Sequence, residues 1–433
     1  MAGRRPRAGR RRRQHGLGPR QRRRPRHGRP AARPLDPARP QRRPHHRERA
    51  PRGAGRGRGP RVHVRLHTAQ DPRRDRLPGP AARAGVTAED LRSRYPVLER
   101  YAYLNAGTTG PLSRASHAAM AAWEERALLT GRAARAYFME GGEVRQQARE
   151  RLAALIGVPA DHVAITCSTT DGCNLVVTGL RLGPDDEVVT TDAEHPGLEQ
   201  PVLASHARVR VISILGRSPS EVVEAIAGAV TPRTKLVALS HVLWLNGQVL
   251  PIAEIRRATG VPLLVDGAQS VGAIPVDAAA ADFYTVSGQK WLCGPQLTGA
   301  LYVADLDRLR PQMAGYGASH GEGIARIEVI HHDPSAMAGL LAALEERPEW
   351  AFERAAEMAR RCRRAMAEAG FEVHSPDEGT LVSIKAPGDP EATVATCLER
   401  GVIVRSLPNG WIRVSCGWWT SDEELVRLVE ALR

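Results

Sequence analysis

Short apolar runs bounded by turn residues recur through the middle of the chain, and each run predicts a buried β-strand. They lie at 162–167, 187–191, 209–215, 236–239, 262–265, 283–286 and 300–303. Stretches with apolar residues at helical spacing precede or separate several of these runs, at 143–156, 220–230 and 253–259. Strands that alternate with helices predict an α/β fold with a mostly parallel sheet that helices cover on both faces.

The pattern changes near residue 313. Predicted helices at 350–369, 392–400 and 423–432 alternate there with short predicted strands at 381–385, 402–405 and 411–414. Ser421 and Glu424 have the spacing of a capping box at the start of the last helix. We therefore expect a large domain at 103–312 and a smaller α+β domain that combines 85–102 with 313–433.

Composition changes this picture at the amino-terminal end. Residues 1–83 contain 28 arginines, no lysine and four acidic residues, a charge of +24, so the remaining residues carry −9 of the total of +15. The segment 1–84 is rich in Arg, Pro and Gly, and it predicts disorder because it can bury too little apolar surface. The mildly acidic body gives no general reason to expect nucleic acid as a partner.

Two interpretations of this leader remain open. It lacks the apolar segment of a secretory signal, and the first serine of the chain is Ser93, whereas transit peptides are rich in serine. It is either a disordered basic tail or upstream sequence wrongly included in the coding frame. Arginine runs without lysine are typical of GC-rich DNA, so we favour the second interpretation and expect the native protein to begin near Val86.

The cysteines and the longest apolar stretches indicate the cellular compartment in which we expect the protein. The six cysteines show neither a CxxC pair nor a disulfide spacing, which favours a reducing environment. No apolar stretch approaches the roughly 18 residues that a membrane span requires. We therefore expect a cytoplasmic protein that does not have a membrane as a partner.

Polar clusters directly follow five of the predicted strands. They lie at 168–172, 194–195, 240–241, 266–270 and 287–290. The carboxyl ends of parallel strands meet at one edge of a sheet, where ligands bind in α/β proteins. The five clusters therefore predict one binding site at this edge.

One cluster contains a lysine, in a chain whose lysines are only Lys235, Lys290 and Lys385. Lysine can lose its proton and attack a carbonyl as a neutral amine, whereas arginine stays charged. Asp266 ends the preceding predicted strand, and a carboxylate beside a pyridine nitrogen keeps that nitrogen protonated. Lys290 and Asp266 together predict pyridoxal 5'-phosphate as cofactor, bound through its aldehyde to the lysine. The alternatives are a lysine that solvates a loop and an aspartate that caps a turn.

Other residues of the clusters are candidates to bind the phosphate of this cofactor. Ser168, Thr169 and Thr170 precede a helix that we predict to begin near residue 172, and the amide groups of a helix start suit an anion. Ser287 and Gln289 flank the lysine and are further candidates. An ordinary helix cap is the alternative for the first three.

Three more residues are candidates to position the cofactor ring and the substrate. Gln269 can reach the phenolic oxygen of the ring. His195 can lie flat on the ring and move protons, although a lone histidine is more often structural. Arg413 can hold a substrate carboxylate through two hydrogen bonds, although arginine is too frequent here for spacing alone to single it out.

Taken together, residues 87–433 resemble the class V aminotransferases, which are fold type I pyridoxal-phosphate enzymes and include the cysteine desulfurases. The motifs that carry the resemblance are Tyr103-Leu104-Asn105-Ala106-Gly107, Thr169-Thr170-Asp171, Glu194-His195, Ser240-His241-Val242, Val265-Asp266-Gly267-Ala268-Gln269-Ser270, Ser287-Gly288-Gln289-Lys290 and Gly294-Pro295. The resemblance implies that Lys290 carries the cofactor, that Asp266 meets its ring nitrogen and that His195 stacks on its ring. It also implies Gln269 at the phenolic oxygen, Arg413 at the substrate carboxylate, and a homodimer with its active site at the subunit interface.

The chain departs from the desulfurases in a way that bears on the reaction. Desulfurases have a mobile loop with a catalytic cysteine before the substrate-binding arginine, whereas the residues between Arg405 and Arg413 include no cysteine. A persulfide relay is therefore not expected. The segment 331–335, which begins with His331, stands where relatives often have a Gly-Thr pair that reaches the neighbour's phosphate, so the chain departs from the family at that contact. The segment 240–248 resembles the cysteine/cystine C–S lyases of the family, which also lack the cysteine loop.

We therefore expect a homodimeric pyridoxal-phosphate enzyme that acts on a small amino acid, by C–S β-elimination on cysteine or cystine. A transaminase or an amino-acid epimerase of the same family is the nearest alternative, because all three reactions begin with loss of the α-proton. An alternative of another class is a nucleic-acid-associated protein that has a basic tail and an inactive enzyme-like body.

Overall fold

A computed structural model describes residues 87–312, 322–328, 332–376 and 379–433. The leader at 1–84 and His331 lie outside the described residues. None of the helices in the described ranges combines the length and the apolar character that crossing a bilayer requires.

The predicted apolar runs all form strands, with ends shifted by a few residues. The strands of the described residues are β1 (Ala102–Tyr103), β2 (Val163–Thr166), β3 (Glu187–Thr191), β4 (Arg208–Ile212), β5 (Thr234–Ser240), β6 (Leu263–Asp266), β7 (Phe283–Ser287), β8 (Gly299–Val303), β9 (Leu381–Lys385), β10 (Val402–Ile403), β11 (Arg405–Ser406) and β12 (Trp411–Ser415).

The central sheet has seven strands in the order β2-β8-β7-β6-β5-β3-β4. The neighbouring strands from β7 to β4 pair in parallel, and β8 runs antiparallel to both β7 and β2. The predicted α/β class with a mostly parallel sheet is thus confirmed.

The helices of the described residues begin at capping residues in most cases. They are α1 (Ala88–Arg92), α2 (Arg114–Thr130), α3 (Arg135–Ile156), α4 (Thr169–Gly179), α5 (Pro196–Leu203), α6 (Pro219–Ala229), α7 (Ile252–Thr259), α8 (Pro334–Glu346), α9 (Ala351–Glu368), α10 (Pro390–Glu399) and α11 (Asp422–Leu432). The predicted capping box of Ser421 and Glu424 is confirmed at α11, because side chain and backbone bond reciprocally there.

Alternate residues of the central strands enter two apolar cores, one on each face of the sheet. On β6, Leu263 and Val265 pack into one core and Leu264 packs into the other, and all three are fully buried. The strands are continuous apolar runs because both faces are covered. Truncating Leu264 to alanine would cost about 2–5 kcal/mol of stability.

Two smaller sheets are formed with the carboxyl-terminal strands. Strands β11, β12 and β9 form an antiparallel sheet, and β1 pairs in parallel with β10. Ala102 of β1 is fully buried in the same apolar core as Met358 of α9 and Leu428 of α11. This shared core supports the grouping of 85–102 with 313–433, although the division into two domains stays a prediction.

Candidate active site

The predicted polar clusters lie at one edge of the central sheet. Ser240 ends β5 and is the register partner of Asp266 at the end of β6, which in turn pairs with Thr285 of β7. His195 follows β3 as the N-cap residue of α5, and Ser287 ends β7. The parallel arrangement therefore brings these residues to neighbouring strand ends.

Lys290 lies in the loop after β7, and its amine is electrostatically unusual. The side chain is half-buried, and the loss of water around the ammonium group lowers the pKa of Lys290 to about 8. Asp266 opposes this shift, whereas the positive charges of Arg413 and Arg405 add to it. Because these charges act on one amine, Lys290, Asp266 and the two arginines share one electrostatic environment.

The backbone of Lys290 is fixed by a close neighbour. Gly110 N–H donates to the Gln289 carbonyl at 2.8 Å, and a Cβ at position 110 would collide with the Lys290 carbonyl. Only glycine fits at this approach, so the loop that contains Gly110 holds the lysine loop against the sheet.

Asp266 is a buried carboxylate, with 2 % of its surface exposed. Its Oδ1 accepts hydrogen bonds from the Ala268 N–H at 2.9 Å and from the Thr285 hydroxyl at 3.3 Å. Both of these donors stabilise the negative charge and fix the direction of the side chain. The residue thus provides an oriented carboxylate next to Lys290.

Gln269 joins the Asp266 loop to the loop of Gly107. Its Nε2 donates to the Gly107 carbonyl at 2.9 Å, and its Oε1 accepts from the Trp291 indole at 3.0 Å. An amide nitrogen carries two hydrogens, so one donor remains after the bond to Gly107. The implied role at a phenolic oxygen stays a prediction.

His195 is held as a neutral imidazole. Its Nδ1 accepts from the Gly197 N–H at 3.0 Å, which places the ring proton on Nε2. Burial lowers the pKa of His195 to about 4, and the charge of Lys290 adds to this effect. At neutral pH the ring is therefore an uncharged surface, which suits stacking on a cofactor ring better than donation of a proton.

The candidate phosphate site lies at the start of α4. The helix begins at Thr169, three residues earlier than predicted, and Ser168 is its N-cap residue, whose hydroxyl accepts from the Asp171 N–H at 3.1 Å. Thr169 is buried, whereas Thr170 is exposed and its hydroxyl lies against Gly197 at the start of α5. The unpaired amide groups of this first turn suit an anion.

Arg413 is a fully buried guanidinium on β12, with 1 % of its surface exposed. It donates to the Trp244 carbonyl at 3.2 Å and to the Thr108 hydroxyl at 3.3 Å, while its Nε has no partner among the described residues. Burial lowers the pKa of Arg413 to about 9, and the charge of Arg405 adds to the effect. A buried cation with an unpaired donor calls for an anionic ligand.

Two further residues at this place, Arg405 and Trp244, were not predicted from the sequence as part of the site. Arg405 is the cross-strand partner of Arg413 and donates to the same Thr108 hydroxyl at 3.0 Å. The Trp244 ring lies edge-on to His195 at 5.1 Å, and the Arg405 guanidinium lies 5.9 Å from its centre. The Pro-Asn-Gly turn at 408–410 predicts a hairpin and was the available signal for pairing Arg405 with Arg413.

The arrangement fits pyridoxal phosphate. A buried carboxylate, an amine with a lowered pKa, a neutral imidazole surface and a helix start with unpaired amide groups are the groups that this cofactor requires. Ser287 is buried at the end of β7 and Gln289 is half-buried beside Lys290, as expected for residues that line such a pocket.

Comparison with known proteins gives consistent matches. The family model "Aminotransferase class-V" matches residues 102–336. The chain is 28 % identical to isopenicillin N epimerase of Streptomyces clavuligerus over 393 residues, which cover 79 % of this chain and 97 % of that protein. It is 34 % identical to a probable cysteine desulfurase of Methanothermobacter thermautotrophicus over 242 residues, which cover 54 % of this chain and 60 % of that protein.

Two solved structures show the same fold over most of the described residues. One is the cystine C–S lyase C-DES in complex with its reaction product cysteine persulfide, with a TM-score of 0.73, 28 % identity, and coverage of 78 % of this chain and 98 % of that chain. The other is a lysine variant of C-DES with glycine covalently linked to the PLP cofactor, with a TM-score of 0.74, 29 % identity, and coverage of 79 % and 98 %.

Proposed function

Because the chain belongs to the aminotransferase class-V family of pyridoxal-phosphate enzymes, we propose that it cleaves a C–S bond of cystine or cysteine by β-elimination. The paired arginines of β11 and β12 carry this proposal. The short connection between them leaves no room for a sulfur-transfer loop, and their charges indicate the charge of the substrate.

The connection between the two arginines is too short for a sulfur-receiving loop. Arg405 pairs with Arg413, and Ser406 pairs with Ile412, so the connection is a tight hairpin without cysteine. Five of the six cysteines of the chain are buried, and Cys167 is half-buried. This supports elimination of the sulfur group into solution over its transfer to a cysteine of the enzyme.

The two guanidiniums favour a substrate with two anionic groups. Arg405 and Arg413 share one neutral acceptor, Thr108, and neither forms an ion pair with an acidic residue of the described chain. Cystine has two carboxylates, one for each guanidinium, whereas cysteine has one. The geometry therefore favours cystine, with cysteine persulfide, pyruvate and ammonia as products.

Each residue has a distinct task in this proposal. When bound, pyridoxal phosphate supplies an electron sink for negative charge at the substrate Cα. Lys290 would hold the aldehyde, Asp266 the ring nitrogen and His195 the ring face, while the phosphate would bind at Thr169, Thr170, Ser287 and Gln289. Arg413 binds the α-carboxylate and so fixes the direction of the Cα–H bond.

Lys290 is the residue that moves the proton. After the substrate amino group has replaced Lys290 at the aldehyde, Nζ would be a free amine. Its pKa of about 8 would then leave a useful fraction of this amine neutral at neutral pH, able to accept the Cα proton. Trp244 is buried and lies edge-on to the half-buried His195, so the two rings would shield one side of the site from water. The leaving sulfur departs from Cβ with the electron pair of the C–S bond.

Product analysis on the purified holoenzyme tests the proposal. With L-cystine we expect pyruvate and ammonia in equal amounts together with a persulfide. Replacing Arg405 with leucine should raise KM for cystine by about 10–100-fold, because it removes a charged hydrogen bond, and should leave KM for cysteine nearly unchanged. An equal loss for both substrates, or no pyruvate from either, contradicts the proposal.

Epimerisation is the second candidate function. It is favoured by the similarity to isopenicillin N epimerase, which extends over 97 % of that protein. An amino acid incubated in deuterated water would then return with inverted Cα, with deuterium at Cα and without pyruvate. A keto acid formed only when an amino acceptor is present would instead identify a transaminase.

We also propose a cytoplasmic homodimer. Large apolar side chains are exposed at the end of α2 and the start of α3, namely Leu128, Leu129, Phe138 and Met139, at 82, 76, 59 and 53 %. A second copy of the chain would cover this surface, as the family resemblance implies, and six free thiols suit a reducing compartment.

Sedimentation tests the dimer. The protein should sediment as a dimer, and a variant with Leu129→Glu and Phe138→Glu should sediment as a monomer. Leu398→Glu, which changes another exposed leucine, 51 % exposed on α10, is the matched control and should remain a dimer. A wild-type monomer, or a double variant that remains dimeric, contradicts this surface. The nucleic-acid alternative depended on the leader, which lies outside the described residues.

A further inference from the structure

A second carboxyl group lies buried beside the site, and the proposed reaction does not use it. Glu194 follows β3 directly before His195, and only 8 % of its surface is exposed. The Thr191 hydroxyl donates to its Oε1 at 2.6 Å, and the Ser240 hydroxyl donates to its Oε2 at 2.6 Å. Glu194 thus joins the ends of β3 and β5.

This carboxyl group lies next to Asp266. Ser240, which donates to Glu194, is the direct register partner of Asp266 on β6. The titratable groups that interact with Glu194 are Asp266 and, from α4, the Cys173 thiol, whose pKa burial raises well above its usual value. Two carboxyl groups therefore lie in one buried environment, where two negative charges would repel each other.

Opposing effects act on the protonation of Glu194. Burial and the charge of Asp266 favour the neutral form, whereas the two hydroxyl donors favour the charged form. Burial is the largest effect and raises the pKa of Glu194 to about 7. Glu194 consequently gains or loses its proton near the pH at which the free amine of Lys290 in the apoprotein becomes neutral.

We propose that Glu194 is a positioning residue that acts through Asp266, because gain or loss of its proton sets whether one or two negative charges lie beneath the active site. Its ionisation changes the electrostatic potential at Asp266 and hence the strength with which Asp266 holds a cationic partner. The kinetic consequence rests on the proposed elimination, whereas the titration of Glu194 does not.

The pH profile of kcat/KM tests the inference on the holoenzyme. The wild-type profile should show an inflection near pH 7 from Glu194. Glu194→Gln keeps the shape of the side chain and should remove this inflection. Glu199→Gln, the same change on α5, is the matched control and should keep it.

A second variant gives a directional result. Ser240→Ala removes one of the two hydroxyl donors to the carboxylate, so the inflection from Glu194 should move to higher pH by about one to two units. If Glu194→Gln folds and its profile equals that of wild type, the inference is wrong. If Glu194→Gln does not fold, the shift in Ser240→Ala decides: an upward shift supports the inference, and an unchanged inflection overturns it.

The apoprotein provides a readout that does not depend on the reaction. The urea midpoint of wild-type apoprotein, relative to that of Glu194→Gln, should fall as the pH rises from 5 to 8, because the folded state loses a proton that the unfolded state has already lost. A difference that does not change with pH overturns the inference, even if the proposed elimination is correct. A pH-dependent difference without pyruvate formation contradicts the elimination alone.

Discussion

The reactivity of Lys290 in the apoprotein should reveal its lowered pKa. At pH 7 an amine with a pKa of about 8 is neutral in about one molecule in ten, whereas one with the ordinary value of 10.5 is neutral in about one in three thousand. The structure therefore predicts about 300-fold more neutral amine than an unperturbed lysine would have. A small amine-specific reagent should label Lys290 at a rate that rises about tenfold per pH unit and levels off near pH 8.

The chain suits this assay because it has only three lysines. Peptide mass mapping separates Lys290 from Lys235 and Lys385, which are both exposed and serve as internal references in the same sample. Two variants should move the inflection in opposite directions. Arg405→Leu removes a positive charge and should raise the pKa of Lys290, whereas Asp266→Asn removes the opposing carboxylate and should lower it.

The opposite signs make the reasoning easy to refute. A general disturbance of the site would move the inflection in the same direction in both variants. An inflection of Lys290 above pH 10, or the same inflection in wild type and in both variants, would show that these charges do not act on the amine.

Three further results are expected. Gly107→Ala places a Cβ 2.9 Å from the Arg413 guanidinium and should raise KM for the amino-acid substrate at least tenfold in steady-state assays, so an unchanged KM contradicts the position of Arg413. Tyr284→Phe removes a buried hydroxyl with two hydrogen bonds of 2.6 Å and should lower the free energy of unfolding by about 1–3 kcal/mol in urea; a neutral effect contradicts this. Because its pKa is raised in the folded state, Glu194 contributes about 3 kcal/mol to the free energy of unfolding below about pH 4.5, and this contribution is lost as the pH rises to about 7. Urea unfolding should show this loss as the difference between wild type and Glu194→Gln.

The fold could be predicted where burial dictates the sequence pattern. Strands such as β3 and β6 are buried on both faces and therefore read as continuous apolar runs. The edge strand β4 is mostly exposed, and its predicted range was displaced towards the carboxyl terminus. Helices α2, α5 and α8 were not predicted from the sequence. Helix α2 buries almost none of its large side chains, and α5 contains Pro201.

The residues of the candidate site likewise fall into those that could be predicted from the sequence and those that could not. Asp266 and Lys290 could be proposed because their chemistry is rare and each follows a predicted strand. Arg405 could not, because its position in the site depends on Thr108, which lies 297 residues away in the sequence. Glu194 was visible only as part of a motif, and its importance depends on burial and on two hydroxyl donors that the folded sheet brings together.

Reduction of the purified holoenzyme with borohydride, followed by peptide mass mapping, tests the central claim most directly. Reduction makes the bond between the cofactor aldehyde and its lysine permanent. The account predicts a reduced pyridoxal-phosphate adduct on Lys290 and none on Lys235 or Lys385. A protein that carries no adduct after incubation with the cofactor, or an adduct on either of the other two lysines, would contradict it.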